Sequence, residues 1–347
     1  MLKIPVQRLT ELFSLISGDR LLYLPVEEKG QVGYGIWTEA EKVRLDKLNT
    51  VKSAKDLFFP QSENLVAFKT QGKNISIIEN RDETKEFVVF GVRACDAASF
   101  DILDRVFLSE PRDTYYKARR DKSTVISLAC GQPEETCFCG AFGIDPANPA
   151  GDVAAWLTED TLFWNSITEK GNAITEAVRE LFETAGQYGL QALQAYKENT
   201  GSIAGRLPLG NLRLDGFGGE ELNEKFGSPL WKELSEACLG CGTCTFLCPT
   251  CQCYDIRDYD TGNGVQRFRC WDSCMYSDFT RMAHGNPRTS QLERFRQRFM
   301  HKLVYFPANN EGIYSCVGCG RCLASCPVSM NIVKVIKSMG VNENGKL

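Results

Sequence analysis

The sequence predicts two domains of unlike class: an α/β domain over residues 1–200 and a mainly α-helical one over 229–347, joined by a Gly-rich linker over 201–228. Three observations carry this division. Short apolar runs alternate with helical patterns through the first 200 residues, the mark of βαβ units. Twelve of the sixteen cysteines fall between Cys238 and Cys326. Between these regions, GSIAGRLPLGNLRLDGFGGEELNEKFGS carries seven glycines and little periodicity, the composition of a connector. A chain of 347 residues is also long enough for two cores, at roughly 100–200 residues each.

Val6, Leu9, Leu12, Phe13 and Ile16 share one face of a first helix, and RLLYLPV follows as a strand. Apolar runs recur at NLVAFKT, NISIIE, EFVVFGV and STVISLA. Between the last two, Phe100, Leu103, Val106 and Phe107 repeat at helical spacing, so strand 86–92, helix 97–108 and strand 123–129 form a parallel βαβ unit. Ile174, Val178, Leu181 and Phe182 mark another helix, and Leu190, Leu193 and Tyr196 a further one. In the second domain PLWKELSEA reads as a short helix, and Leu292, Phe295, Phe299 and Leu303 form a helical apolar stripe.

Clustered cysteines serve disulfides, metals or thiol redox chemistry, and the compartment discriminates among them. Gln7, Arg8, Glu11 and Asp19 interrupt any apolar run at the N-terminus, so no secretory segment is read there. No stretch reaches the roughly 18 apolar residues of a membrane span. The expected location is cytoplasmic, where thiols bind metal in preference to pairing. With 40 basic and 44 acidic residues and a formal charge of -4, the chain offers no electrostatic footprint for nucleic acid.

CLGCGTCTFLCP supplies Cys238, Cys241, Cys244 and Cys248 before Pro249, and CVGCGRCLASCP supplies Cys316, Cys319, Cys322 and Cys326 before Pro327. Both have the Cys-x2-Cys-x2-Cys-x3-Cys-Pro spacing of two-cluster ferredoxins. Two-residue gaps wrap three thiolates around one [4Fe-4S] cube, and the fourth cysteine serves the other cube. One cluster is therefore assigned to Cys238, Cys241, Cys244 and Cys326, the other to Cys316, Cys319, Cys322 and Cys248. Zinc also uses Cys-x2-Cys pairs but needs four ligands and has no use for a doubled pattern. Sixty-seven residues separate Cys248 from Cys316, which favours a helical ferredoxin-like variant over the compact β-containing one.

Cys95 and Cys130 each lie just past the C-terminal end of a parallel strand, the edge where open α/β sheets collect ligands. Cys137 and Cys139 follow in CFC, making a four-thiol group suited to a third [4Fe-4S] cluster. The bland alternative, buried thiols acting as small hydrophobes, leaves CFC unexplained. Cys251, Cys253, Cys270 and Cys274 remain, as ligands for a further cluster or zinc or as packing thiols; spacing alone leaves these open.

FGVRACDAASFDILDRVFL, ISLACGQPEETCFC, SPLWKELSEACLGCGTCTFLCPTCQCYD, RCWDSCMYSDF, MAHGNPR and YSCVGCGRCLASCPV together resemble the 4Fe-4S dicluster subunit that anaerobic sulfite reductase and cytosolic sulfhydrogenase share, the beta subunit of the latter. The resemblance spans about Asp56 to Ile336. It implies an electron-transfer role in an anaerobic redox complex. The partners would be a flavin-containing NAD(P)H- or ferredoxin-linked reductase subunit and a separate catalytic subunit of sulfite reductase or NiFe hydrogenase type. The family pattern covers Cys251, Cys253 and Cys274, with no cysteine associated with the position of Cys270.

Histidine-based catalysis is not expected, since only His284 and His301 occur, and no catalytic residue is assigned. His284 reads as structural, in a turn. Arg288, Arg294, Arg296, Arg298 and Lys302 read as a solvated helix face. GxGxxG is missing, so neither nicotinamide nor flavin is assigned to this chain. Two rivals stand beside the relay reading: a structural zinc-binding scaffold, and a stand-alone cluster-dependent reductase of sulfur compounds or disulfides working near Cys95.

Overall fold

The computed structural model describes residues 1–79, 85–219 and 222–340. Positions 220–221 of the expected linker and 341–347 of the expected second domain lie outside the described residues. The strands are β1 (Leu2–Pro5), β2 (Leu21–Glu28), β3 (Gln31–Ile36), β4 (Ser62–Gln71), β5 (Asn74–Glu79), β6 (Phe87–Val92), β7 (Ser123–Leu128), β8 (Val153–Leu157), β9 (Thr161–Ser166), β10 (Glu183–Thr184), β11 (Tyr254–Asp260) and β12 (Gly264–Trp271). Among the described residues, eight of these form one sheet in the order β10-β1-β9-β8-β7-β6-β2-β3. Its centre, β2, β6, β7 and β8, is parallel, and antiparallel strands close both margins.

The βαβ unit is present as β6, the helix Ala94–Phe107 and β7, with a second helix, Thr114–Lys122, before β7. All six residues of β6 are buried because both faces of the sheet are covered, which is why FVVFGV is continuously apolar. Val88 and Phe90 meet Leu12, Phe13, Leu24 and Trp164 on one face. On the other, Phe87 and Val89 meet Phe58, Phe100, Leu103 and Tyr116. The helix Leu9–Ile16 buries Leu12, Phe13 and Ile16, as its spacing predicts.

The second half departs from the expected mainly helical domain. β11 and β12 join β4 and β5 in a four-stranded antiparallel sheet, ordered β11-β12-β4-β5. Its central seam pairs Gly264 with Lys69 and Cys270 with Ser62, so segments of both expected domains share one sheet. The expected linker is also shorter than its glycines suggest, because the helix Gln187–Arg206 runs into it. Beyond lie the short helices Leu230–Glu236, Thr243–Phe246, Arg321–Ala324 and Ile332–Met339. The longer helix Gln291–Met300 starts at a capping box of Ser290 and Glu293 and continues as a π-helical turn, His301–Tyr305. Trp231, Leu234, Phe295, Phe299, Val333 and Ile336 form the core here. Among the described residues no helix is long and apolar enough to cross a membrane.

Buried polar contacts join the halves. Arg321 makes a two-pronged pair with Asp96, at 2.6 and 2.7 Å, and donates through Nε to the Thr50 carbonyl. Arg269 pairs across the junction with Glu63 and Asp113, and within the first half Arg119 also reaches Glu63, at 2.9 Å. Cys95, Ile102, Phe306, Val317 and Cys319 share an apolar cluster at the same junction. Removing one member of a buried ion pair leaves an uncompensated charge, so Arg321→Ala is expected to cost about 3–5 kcal/mol, read as a lower denaturation midpoint of the anaerobic protein. The double replacement Asp96→Leu with Arg321→Met is expected to cost less. A loss under about 1 kcal/mol for Arg321→Ala, the range of an exposed pair, would contradict this.

Candidate metal centre

The twin cysteine motifs adopt one backbone design twice. In the first, Gly240 and Gly242 hold φ values of 67° and 73°, and the one-turn helix Thr243–Phe246 follows. In the second, Gly318 and Gly320 hold 59° and 78° ahead of Arg321–Ala324. Left-handed glycines turn the chain around its own thiols, a conformation that side chains with a Cβ rarely adopt. The second pair also allows a close approach: a Cβ on Gly318 would sit 2.4 Å from the Phe138 carbonyl oxygen, and one on Gly320 2.6 Å from that of Thr136. The two one-turn helices pack on each other, which brings the motifs together.

Cys248, Cys316, Cys319 and Cys322 line one cavity, together with Arg298 and Lys302. Three of these thiols come from the second motif and the fourth from the first. The remaining set lies alongside: Cys238 and Cys326 pack against the same core as Cys316 and Cys322, and Cys238 has Cys244 and Cys241 as charge neighbours. Several polar groups reach these sulfurs. Gln291 Nε2 donates to Cys238 Sγ at 3.3 Å and Arg298 Nε to Cys244 Sγ at 2.9 Å. Cys241 Sγ lies 3.4 Å from Thr243 Oγ1, and Cys326 Sγ 3.6 Å from the Met330 carbonyl.

The N-terminal group converges on the second motif. Cys95 lies in the first turn of the helix after β6, Cys130 just after β7, and Cys137 and Cys139 flank Phe138, whose amide donates to the Gly318 carbonyl at 2.9 Å. Cys130 and Cys137 act on Cys139, Cys130 and Cys319 on both Cys95 and Cys137. Burial opposes ionisation throughout, raising Cys95 and Cys130 and pushing Cys137 to about 11 and Cys139 to about 12. Such thiols ionise only when a metal shares their charge, so a cluster at this site would be bound with release of their protons. Among the described residues no three metal-binding side chains are close enough to hold one metal ion. That spacing bears on single zinc, whose thiolates lie about 2.3 Å from one centre, and not on a cube, whose cysteines stand at separate corners.

The third group divides. Cys251 hydrogen-bonds to Cys248, and Cys253 to Cys274; the hydrogen bond from Cys274 is the main cause that lowers Cys253 to about 7, and Lys302 assists. Cys270 stands apart on β12, opposite Asp255 and Ser62, with Arg257, Asp255 and Asp272 as its charged neighbours. Strand alternation is the reason: Trp271 faces the core and its predecessor must take the other face.

Sequence reasoning missed the cations. Arg298 and Lys302, read as part of a solvated face, are 3% and 2% exposed. The signal was available: 295, 298, 299, 302 and 303 follow the i, i+3, i+4, i+7, i+8 spacing of a buried stripe. Arg288, Arg294 and Arg296 are half-buried. Lys302 Nζ donates to Thr250 Oγ1 and the Ser315 carbonyl, each at 2.8 Å. Lys55 Nζ caps the Cys248 and Cys251 carbonyls at 3.0 and 2.9 Å and lies 3.6 Å from the centre of the Trp271 ring. Exposed His284 sits in the turn closed by Met282 and Gly285, and burial lowers His301 to about 4.

Cys137→Ala is expected to remove about four irons per chain while the twin-motif signals persist. Cys270→Ser should leave metal content unchanged. Iron and zinc analysis with reduced-state EPR checks both, and unchanged iron in the first variant would exclude a cluster at the N-terminal group.

Residues 237–330 match the family model of the 4Fe-4S dicluster domain. The chain is 30% identical over 328 residues to sulfhydrogenase 2 subunit beta of Pyrococcus furiosus, covering 94% of each chain. No solved structure matches it. The N-terminal α/β part is included in that alignment, so the likeness extends well beyond the ferredoxin-type motifs, and this chain belongs to the sulfhydrogenase subunit beta family.

Proposed function

We propose that this chain relays electrons within a cytoplasmic anaerobic redox complex, between a flavin-containing NAD(P)H- or ferredoxin-linked subunit and a catalytic subunit of sulfite reductase or NiFe hydrogenase type. The observation that carries the reading is contiguity. The N-terminal thiol group abuts the second glycine-cornered loop through Phe138 and Gly318, and that loop's helix packs on the helix of the first. A line of thiol groups thus runs from the edge of the parallel sheet into the second half of the chain.

In this reading Cys238, Cys241, Cys244 and Cys326 hold one [4Fe-4S] cluster, and Cys248, Cys316, Cys319 and Cys322 the other. Cys95, Cys130, Cys137 and Cys139 hold a third, and Cys251, Cys253 and Cys274, without Cys270, are the thiols left for a further cluster rather than a single zinc ion. When bound, such clusters accept and release single electrons. The chain's own residues do the rest. Glycine corners aim the thiols, the apolar core of Trp231, Phe295 and Phe299 keeps water from one side, and Lys55, Arg298 and Lys302 offset buried negative charge.

A relay transforms no substrate itself. The anaerobically purified chain is expected to bleach with dithionite and reoxidise with a one-electron acceptor, yet to turn over neither sulfite, polysulfide nor hydrogen until both partner subunits are added. Steady turnover of any of these by the isolated chain would replace the relay with a stand-alone reductase. A colourless, zinc-loaded protein would replace it with a scaffold.

A further inference from the structure

Arg298 touches both cysteine sets of the twin motif. Its Nε donates to Cys244 Sγ at 2.9 Å and its Nη2 to the Cys244 carbonyl at 2.8 Å, and its side chain also lines the cavity of Cys248, Cys316, Cys319 and Cys322. The remaining nitrogen, Nη1, is buried with no hydrogen-bond partner among the described residues. Its charge neighbours include the thiols Cys244, Cys322, Cys251 and Cys248, with the Lys302 ammonium as a like charge nearby.

A buried guanidinium is costly unless negative charge compensates it. Here the compensation comes from the sulfurs of two neighbouring sites. The planar fork suits that position, since it can direct separate N–H groups at separate acceptors and never loses its proton. Lysine, a compact charge on a flexible stem, lacks the spread of a guanidinium and at this position its ammonium falls short of one of the two sites.

We propose that Arg298 is a positioning residue that bridges the two clusters of the twin motif and sets the reduction potentials of both, its fixed charge favouring the state with the added electron. The inference rests on the twin motif holding two [4Fe-4S] clusters as read above. Iron analysis of the parent chain tests that reading separately, because a parent without iron would sink the reading before any variant is compared.

The experiment is an EPR-monitored redox titration of the intact, anaerobically purified chain, comparing the parent with Arg298→Gln and Arg298→Lys. Arg298→Gln removes the charge while keeping an N–H donor at the ε position, two atoms short of the guanidinium tip. It is expected to shift both reduction steps about tenfold toward the oxidised form, which is 59 mV more negative for a one-electron couple. A variant with full iron whose two steps both stay within threefold of the parent would overturn the proposal. If Arg298→Gln loses iron, Arg298→Lys decides. Its ammonium reaches one set only, so one step is expected to shift by the same tenfold while the other holds, and two unshifted steps would overturn the bridge.

Discussion

A thiolate inside a protein needs a positive counterpart, and the interior of this chain is organised around supplying it. Burial is the main cause raising most of the cysteines, and neighbouring thiols and Asp96 add to it. Metal centres share the thiolate charge directly, and the protein adds cations where thiol groups crowd. Lys55 caps the carbonyls of Cys248 and Cys251, Lys302 stands beside Cys248, Cys251 and Cys316, and Arg298 bonds Cys244. Arg321, between Cys319 and Cys95, is matched by Asp96. These cations come from separate stretches of the chain, so the charge requirement fixes how those stretches pack.

The same requirement explains why the halves are built into each other. In the proposed relay a thiol group at the edge of the parallel sheet must abut the next, and the contact between them leaves no room for a side chain at Gly318 or Gly320. The neighbouring weld is electrostatic, Arg321 to Asp96. The hairpin of β4 and β5 then lends its edge to β12, and Lys55, which precedes it, reaches under the cysteine loop. One junction thereby fixes the spacing of the N-terminal thiols from the twin motif.

Much of this is legible where the signal is local. The βαβ unit reads from its apolar runs because both sheet faces are covered, and the twin motif reads from spacing because one cube fixes three thiols within one loop. The resemblance to the family rests on the same segments. What stays hidden depends on remote partners. β11, YDIRDYD, carries mostly polar and exposed residues, and its sheet is completed by strands almost two hundred residues earlier in the chain. Proximity in sequence groups Cys270 with its neighbours, whereas strand alternation turns it away. Residue type places Arg298 and Lys302 in solvent, although their spacing puts them on the buried stripe. The glycines at 201 and 205 signal a linker but sit in a helix that tolerates them.

The proposed line of iron–sulfur sites, from the sheet edge through both loops of the twin motif, implies a stoichiometry that can be counted. The deciding measurement is the iron, sulfide and zinc content of the intact anaerobic chain, taken together with its reduced-state EPR spectrum. At least about twelve irons per chain, with magnetically interacting cluster signals, are expected. About eight irons would confine the clusters to the twin motif and break the line at the sheet edge, and zinc without iron would contradict the line altogether.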